Sequence, residues 1–182
     1  MPTGTDVKHS KFQALLQDQI RHDLNIEHQY RSIAAWFDNA DLPVLAGYFY
    51  RQAVTERNHA MMIARYLMDH DISVDWRGID SAKSTFSSAE EAVTLAATIE
   101  RETTAQIVNL AAAAREGGDY QGEQFTQWFL KEQQRELATM TTLVVVAKRA
   151  AGNMFDLEEF VSREMSGPKD ASGAPSAAGG TL

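Results

Sequence analysis

The sequence QAVTERNHAMMIARYL, residues 52–67, combines an apolar helical stripe with two ionisable side chains on that stripe. Steps of three and four residues place on one face of an α-helix Phe49, Ala53, Glu56, Ala60, Ile63 and Leu67. His59 lies one turn from Glu56, beside the same face. A glutamate and a histidine therefore stand where core residues are expected.

The composition is that of a globular chain with one sizeable core. Of the 182 residues, 44% are hydrophobic and 23% are charged, and there is no cysteine. No apolar run approaches the ~20 residues of a membrane span, and the N-terminus shows no secretory signal. The net charge of −8 argues against a nucleic-acid partner and favours cations. Together with the absence of cysteine, these features predict a cytoplasmic protein with no membrane partner.

Helical periodicity runs through most of the chain, and strand-like alternation is almost absent. The pattern predicts five helices, over about 9–38, 43–70, 89–116, 120–150 and 155–164. The connection at 71–88 has turn chemistry and is too long for a tight antiparallel turn, so we expect it to cross the length of a bundle. The sequence thus predicts an all-α four-helix bundle with a long crossover between helices two and three and a short fifth helix.

Both ends of the chain differ from the helical domain, which we place at 9–165. Residues 1–8 are predicted to be flexible. Residues 166–182, SGPKDASGAPSAAGGTL, are rich in Gly, Ala, Ser and Pro and are predicted to be disordered. A second interpretation of this tail is a peptide that docks to a larger compartment or partner.

Every long helix carries oxygen ligands on its apolar stripe. They are Asp23, Glu27 and Tyr30 in the first helix, Glu56 with His59 in the second, Glu100 in the third, and Gln133 and Glu136 in the fourth. An unpaired buried carboxylate costs several kcal/mol, and several of them would exceed the roughly 5–15 kcal/mol that holds a domain together. A lone Glu-x-x-His is usually a surface pair, but convergence from four helices favours bound metal. Oxygen ligands with one imidazole and no sulfur suit iron, manganese or zinc, and the bundle favours iron.

The motifs on these helices resemble those of a known family. Tyr30 follows Asp23 by seven residues, ERNHA contains Glu56 and His59, Glu100 lies in helix three, and helix four carries QWFLKEQQREL. Together they resemble the non-haem bacterial ferritins over about residues 10–165, and the Gly- and Ala-rich tail resembles that of mycobacterial members. The resemblance implies a ferritin-like subunit that assembles as a homo-oligomer into a hollow 24-subunit shell.

The resemblance also implies a di-iron ferroxidase centre inside each bundle. The metal ligands it carries over are Asp23, Glu56, His59, Glu100, Gln133 and Glu136. Glu56 would bridge a first iron site to a second one, and Tyr30 would act beside them as a catalytic one-electron donor. Fe(II) would be oxidised by O2 or H2O2 and stored as ferric mineral in the shell cavity.

Three positions depart from the family pattern. Asp23 stands where the family usually has glutamate, and Glu27, one turn along the stripe, could compensate for the shorter reach. Thr55 and Arg135 replace glutamates that serve, with Glu132, an accessory third iron site. We expect altered turnover and an unaffected shell, with Glu27 and Glu132 as auxiliary metal residues.

Haem is not expected, and no other cofactor-binding residue is predicted. Related haem-binding proteins use a methionine directly after the bridging glutamate, and Arg57 occupies that position here. The remaining histidines, His9, His22, His28 and His70, are expected to face solvent rather than bind iron.

Two alternatives to an iron-storage ferroxidase stay open. One is a shell-forming storage subunit whose own centre is impaired by the three departures. The other is a soluble di-iron oxidase of an organic substrate on the same bundle, which would form a small oligomer.

Overall fold

The computed structural model describes residues 10–167 and 170–182 of the chain. The helices are α1 (Lys11–Asn39), α2 (Pro43–Asp69), α3 (Ala89–Glu116), α4 (Tyr120–Ala150) and α5 (Met154–Glu164). The described ranges contain no strand, so the predicted all-α class is confirmed. The predicted flexible N-terminus at 1–8 and His9 lie outside the described residues. Among the described helices, none is apolar enough over a sufficient length to span a bilayer.

Local signals set the helix ends. Ser10 begins α1 with a capping box, in which its hydroxyl accepts from the Gln13 backbone and the Gln13 side chain accepts from the Ser10 backbone. Ser88 caps α3 by accepting from the Glu91 backbone N–H at 3.1 Å, but the Glu91 carboxylate turns to Ser87 instead of closing a full box. Each cap satisfies backbone donors that the first helical turn leaves unpaired.

The connection between α2 and α3 runs extended along α1, as the sequence predicts. Side-chain amides of α1 bind it as a neighbouring strand would. Gln17 donates to the carbonyl of Ser73 at 2.7 Å and accepts from the N–H of Asp75 at 2.9 Å. Gln29 makes the same reciprocal pair with the backbone of Lys83, with both bonds at 2.9 Å. The backbone polar groups of a segment without helix or strand are thereby partly satisfied.

The core consists of two apolar clusters, one toward each end of the bundle. In α1 and α4 the chain passes from the cluster around Leu16 and Phe129 to the cluster around Phe37 and Leu143. In α2 and α3 it passes in the opposite order, so these two consecutive helices run parallel. The 27-residue helix α2 is about 40 Å long. The connection between α2 and α3, if fully extended, reaches up to about 60 Å. Parallel α2 and α3 therefore require the crossover.

The C-terminal segment 170–182 has neither helix nor strand and lies against α2 and α4. The backbone N–H of Ala178 donates to the Met61 carbonyl at 2.9 Å, and the N–H of Leu182 donates to Asn58 Oδ1 at 3.2 Å. Ala174 and Ala177 pack against the apolar cluster near Phe129. Disorder of the tail remains a prediction from composition.

Two glycines inside helices differ in the space around them, which gives a matched test of the packing. A Cβ on Gly122 of α4 would lie 2.4 Å from Phe12 Cε1 and 2.8 Å from the capping carboxylate of Asp119, whereas one on Gly47 of α2 would meet the flexible end of Arg51 at 3.4 Å. We expect Gly122→Ala to lower the free energy of unfolding by about 1–3 kcal/mol through overpacking. Gly47→Ala should raise it by up to ~1 kcal/mol through helix propensity.

Chemical denaturation of both variants beside the unchanged protein measures the difference. Equal stabilisation by the two substitutions would show that Phe12 and Asp119 do not pack against α4 as described.

Candidate metal centre

A layer of polar side chains lies between the two apolar clusters. The six predicted ligands are all in it and are 1–5% exposed: Asp23, Glu56, His59, Glu100, Gln133 and Glu136. On each helix the layer falls where the chain leaves one cluster and enters the other, for example between Ala97 and Ile107 on α3. The four helices thus bring the sequence-predicted residues to one level of the bundle.

Neutral hydrogen-bond donors hold three of the carboxylates. Gln19 donates to Asp23 Oδ1 at 2.8 Å, four residues away on α1. Glu100 accepts at one oxygen from the Tyr30 hydroxyl and at the other from the Gln133 amide.

The carboxylate of Glu136 is held across the bundle. The Gln52 amide of α2 donates to Glu136 Oε2 on α4 at 2.7 Å. An ionised carboxylate can only accept hydrogen bonds, so each glutamine must turn its NH2 group toward its partner.

Glu56 is the exception in the layer. Its Oε2 is buried without a hydrogen-bond partner among the described residues, and the nearest basic atom is His59 Nδ1 at 3.5 Å. The His59 ring stands edge-on to Trp128 and Phe129, with ring centroids 5.7 Å away in each case. These rings fix one side of the imidazole, while the unpartnered Glu56 oxygen is the kind of buried atom that a cation would satisfy.

The electrostatics of the layer reflect the burial of several carboxyl groups close to one another. Desolvation, followed by the charge of Glu56, raises the pKa of Asp23 well above its ordinary value. The same two causes raise the pKa of Glu100 to about 8, although donation from Tyr30 and Gln133 opposes them. Burial lowers the pKa of His59, but the charges of Glu56 and Asp23 outweigh it and raise that pKa to about 9. The carboxyl groups therefore hold protons that a dication could replace.

The carboxylates of Asp23, Glu100 and Glu136 face hydrogen-bond donors, and the acidic side chains of the layer do not converge on a common point. Within residues 10–167 and 170–182, no three His, Asp or Glu side chains form a group that could hold a metal ion as they stand. The donor set nevertheless suits a hard dication, since it supplies carboxylate oxygens and one imidazole. Binding would require rotation of carboxylates away from their present donors.

Two buried tyrosines border the layer. Tyr30 is fully buried and edge-on to Phe49, with ring centroids 5.7 Å apart, and its hydroxyl donates to Glu100. Desolvation and the charge of Glu100 raise the pKa of Tyr30 well above its ordinary value, so the phenol keeps its proton. Tyr48 has a buried hydroxyl with no partner among the described residues, and desolvation and Glu136 raise its pKa.

The two predicted auxiliary residues are each paired with an arginine. The Glu27 carboxylate of α1 accepts from Arg31 on the same helix. Glu132 is 6% exposed and accepts from Arg135, which also donates to the Asp170 carbonyl of the tail at 3.0 Å. Metal binding by Glu27 and Glu132 remains a prediction.

Several residues of the layer escaped the sequence analysis. Gln19, Gln52 and Tyr48 were not singled out, although Gln19 precedes Asp23 by four residues, one helical turn. His22, which was expected to face solvent, is only partly exposed. His22 is half-buried between α1 and α3, where Nε2 lies 3.1 Å from Thr103 Oγ1 and Nδ1 accepts from the Gln106 amide at 3.3 Å.

The fold and the polar layer define a class of protein, the four-helix bundle with a carboxylate-lined interior. Members of this class use Glu-x-x-His pairs, which this chain has once as Glu56 with His59. On α4 the same spacing reads Gln133-x-x-Glu136.

The model of the ferritin family, described as a ferritin-like domain, matches residues 13–150, and the chain belongs to the ferritin family. It is 52% identical over 180 residues to ferritin BfrB of Mycolicibacterium smegmatis, with 99% of both chains covered. It is 51% identical over 173 residues to the protein named bacterioferritin BfrB of Mycobacterium tuberculosis H37Rv, covering 95% of this chain and 96% of that one. A bacterial non-heme ferritin of Staphylococcus aureus is 34% identical over 127 residues, 70% of this chain and 76% of the relative.

Solved structures agree with this fold. An open-pore ferritin from the archaeon Archaeoglobus fulgidus superposes with a TM-score of 0.81 over 89% of this chain and 99% of its own, at 23% identity. A humanized archaeal ferritin gives 0.81 over 88% and 98%, also at 23% identity. At this identity the likeness establishes the ferritin-like fold alone.

The raised pKa values predict how stability depends on pH when dications are chelated. Between 4.5 and about 8 the folded protein holds a proton on Glu100 that the unfolded chain releases, and His59 does the same between 6.5 and about 9. The free energy of unfolding should therefore fall as pH rises through this range, by up to roughly 1.4 kcal/mol per pH unit for each group. Added dication should reverse the trend, because it favours the deprotonated ligands.

Denaturation of chelator-treated protein across this range, with and without Co(II), provides the measurement. Glu100→Gln should flatten the slope in the lower part of the range, while Glu116→Gln, an exposed control at the end of α3, should not. A stability that rises toward pH 8 in chelator would contradict the assignment.

Proposed function

We propose that this chain is an iron-storage subunit that oxidises Fe(II) within its own bundle and stores Fe(III) as mineral in the cavity of a homo-oligomeric 24-subunit shell. The observation that carries the proposal is the buried layer in which carboxylates from all four long helices and one imidazole lie between the two apolar clusters. Membership in the ferritin family supports the storage role. A cytoplasmic location is part of the proposal and rests on the absence of cysteine.

In the proposed reaction, Fe(II) is the substrate and the layer is its binding site. Asp23 and His59 bind the first Fe(II), Glu100 binds the second, and Glu56 lies between them with its free oxygen. Two Fe(II) ions each give one electron to O2, which takes up two protons and leaves as H2O2. With H2O2 as oxidant, two electrons and two protons yield two molecules of water.

The surrounding side chains set the conditions for that reaction. Gln133 and Glu136 complete the oxygen-rich environment, which favours the harder Fe(III) over Fe(II). The Tyr30 hydroxyl holds its proton toward Glu100, which keeps the phenol in place as a one-electron donor beside the second iron. Arg57, which contacts Asn58 at 3.4 Å, replaces the methionine that a haem would need, so the proposal includes no haem.

A second candidate function is a storage subunit with a slow centre of its own. The ion pair between Glu132 and Arg135 favours it, because a guanidinium already satisfies a carboxylate next to the layer. Iron would then be oxidised chiefly at the mineral surface, with the shell unchanged.

Stopped-flow oxidation in air, with two Fe(II) added per subunit, separates these functions. We expect a fast phase that saturates near that ratio. Glu56→Gln should slow it by roughly tenfold or more, because the carboxylate between the two ions loses its charge. The exposed control Glu116→Gln should leave it unchanged.

Slow oxidation without saturation in the unchanged protein would instead support the storage subunit. In that case Arg135→Glu, which releases Glu132 from its ion pair, should accelerate oxidation. A native mass of only a few chains would refute the shell and favour a soluble di-iron oxidase.

A further inference from the structure

A cavity of about 300 Å3 lies between α1 and α3, beside the metal centre. The described residues that line it belong to these two helices alone. Its volume is about ten times the ~30 Å3 that one water molecule occupies in the liquid. The cavity therefore has room for a dication together with its first shell of waters.

Gln19 and His22 of α1 connect this cavity to the centre, since both residues line it. The Gln19 amide donates to Asp23 Oδ1 at 2.8 Å, and His22 Nε2 lies 3.1 Å from Oγ1 of the buried Thr103 on α3. Burial lowers the pKa of His22, and the charge of Glu56 opposes this shift, so the ring lies within electrostatic reach of the layer. Gln19 is thus in contact both with the cavity and with a proposed ligand of the centre.

We propose that this cavity is the route by which hydrated dications, with Fe(II) as the physiological case, enter the metal centre from the surface of the bundle. The inference rests on the proposed function, since it supplies the path to the same centre. When Asp23 turns toward a metal ion it leaves the Gln19 amide, and Gln19 is then free to move out of the path.

The polar lining of the cavity is mostly neutral, which suits passage better than storage. Gln106 Oε1 is buried without a hydrogen-bond partner among the described residues, and the nitrogen of the same amide lies 3.3 Å from His22 Nδ1. Arg21, the one arginine among the described lining residues, turns to the crossover, where it binds Asp80 at 2.7 Å and the Gly78 carbonyl at 2.8 Å. A passage needs binding that is favourable enough for entry and weak enough for release.

The mouth of the cavity carries one carboxylate. Asp18 is exposed there and forms a surface ion pair with Arg77 at 2.5 Å. Such a pair is weak and screened by salt, so it leaves the carboxylate able to attract cations from solution.

The opposite side of the bundle, between α2 and α4, is covered by the tail segment 170–182. A second cavity, of about 210 Å3, reaches His59 and Glu132 on that side, but it is also lined by Asp170, Ala174 and Leu182 of the tail. The cavity between α1 and α3, by contrast, has no C-terminal residue in its described lining.

The test narrows the mouth of the cavity and measures how fast dications arrive. Asn109 of α3 is exposed and lines the cavity, whereas the neighbouring Val108 is 53% exposed and is not part of the described lining. Asn109→Trp places a ring at the mouth, and Val108→Trp, the matched control, adds one to the surface beside it. Anaerobic stopped-flow mixing of the assembled protein with Co(II) gives the loading rate, a chelator gives the release rate, and calorimetry gives the affinity.

We expect Asn109→Trp to slow Co(II) loading and release by the same factor, roughly tenfold, which corresponds to an added barrier of about 1.4 kcal/mol. The affinity should stay unchanged, because a barrier on the path changes both rates and leaves the bound state as it was. Val108→Trp should change neither rate. If Asn109→Trp does not assemble, Asn109→Lys makes the same test through charge repulsion, and its slowing should shrink at high salt.

Three results would overturn the inference: an unchanged loading rate in Asn109→Trp, an equal slowing in Val108→Trp, or a slowing by Ala174→Trp alone, which would place the route between α2 and α4. The proposed function fails by a different result. Protein that loads Co(II) with the expected dependence on Asn109, but oxidises Fe(II) slowly, would refute the ferroxidase and leave the route standing.

Discussion

The structure depends on one constraint, which is the presence of several carboxylates in the dry centre of a helix bundle. Each isolated buried charge costs several kcal/mol, against the roughly 5–15 kcal/mol that stabilises a domain. The chain meets this cost with apolar clusters on both sides of the layer, with neutral amides and a phenol inside it, and with raised pKa values that let the carboxyl groups keep protons. Each of these compensations is partial, and the protons and hydrogen-bond donors on the carboxyl groups could be exchanged for a bound cation. In the proposed function, the same feature that weakens the fold would provide the affinity for metal.

The topology follows from where that layer has to be. Each of the four long helices, α1 to α4, passes through the layer near its middle, so each must span both apolar clusters. Because α2 and α3 are parallel, α2 ends at the end of the bundle opposite to the start of α3. A connection along the whole bundle is therefore necessary. Gln17 and Gln29 hold this connection by reciprocal bonds to its backbone. Glutamines of α1 thus make two kinds of contact: Gln17 and Gln29 bind the crossover backbone, and Gln19 binds the carboxylate of Asp23.

The sequence predicted the helices and the inward-facing acidic side chains because both depend on a local period. Glu56 and Glu100 stand on apolar stripes that a reader can count. The amide partners of Asp23 and Glu136 could not be found this way, since Gln19 and Gln52 look the same in sequence as a surface glutamine such as Gln13. His22 shows the same limit: its burial depends on Thr103 and Gln106 of α3, which no period on α1 reports. The contacts of the tail with Met61 and Asn58 come from backbone groups, about which composition says nothing.

The layer is chemically unequal on its two sides, and this inequality bears on storage. The α1–α2 side offers Asp23, Glu56 and, among the described residues, the one imidazole of the layer; the α3–α4 side offers oxygen atoms alone. Imidazole suits the softer Fe(II), whereas an all-oxygen set prefers the harder Fe(III). Two iron ions bound here would therefore not be held equally after oxidation. Glu56 Oε2 has no hydrogen-bond partner among the described residues, so no donor would have to be displaced for this oxygen to turn toward a bound ion.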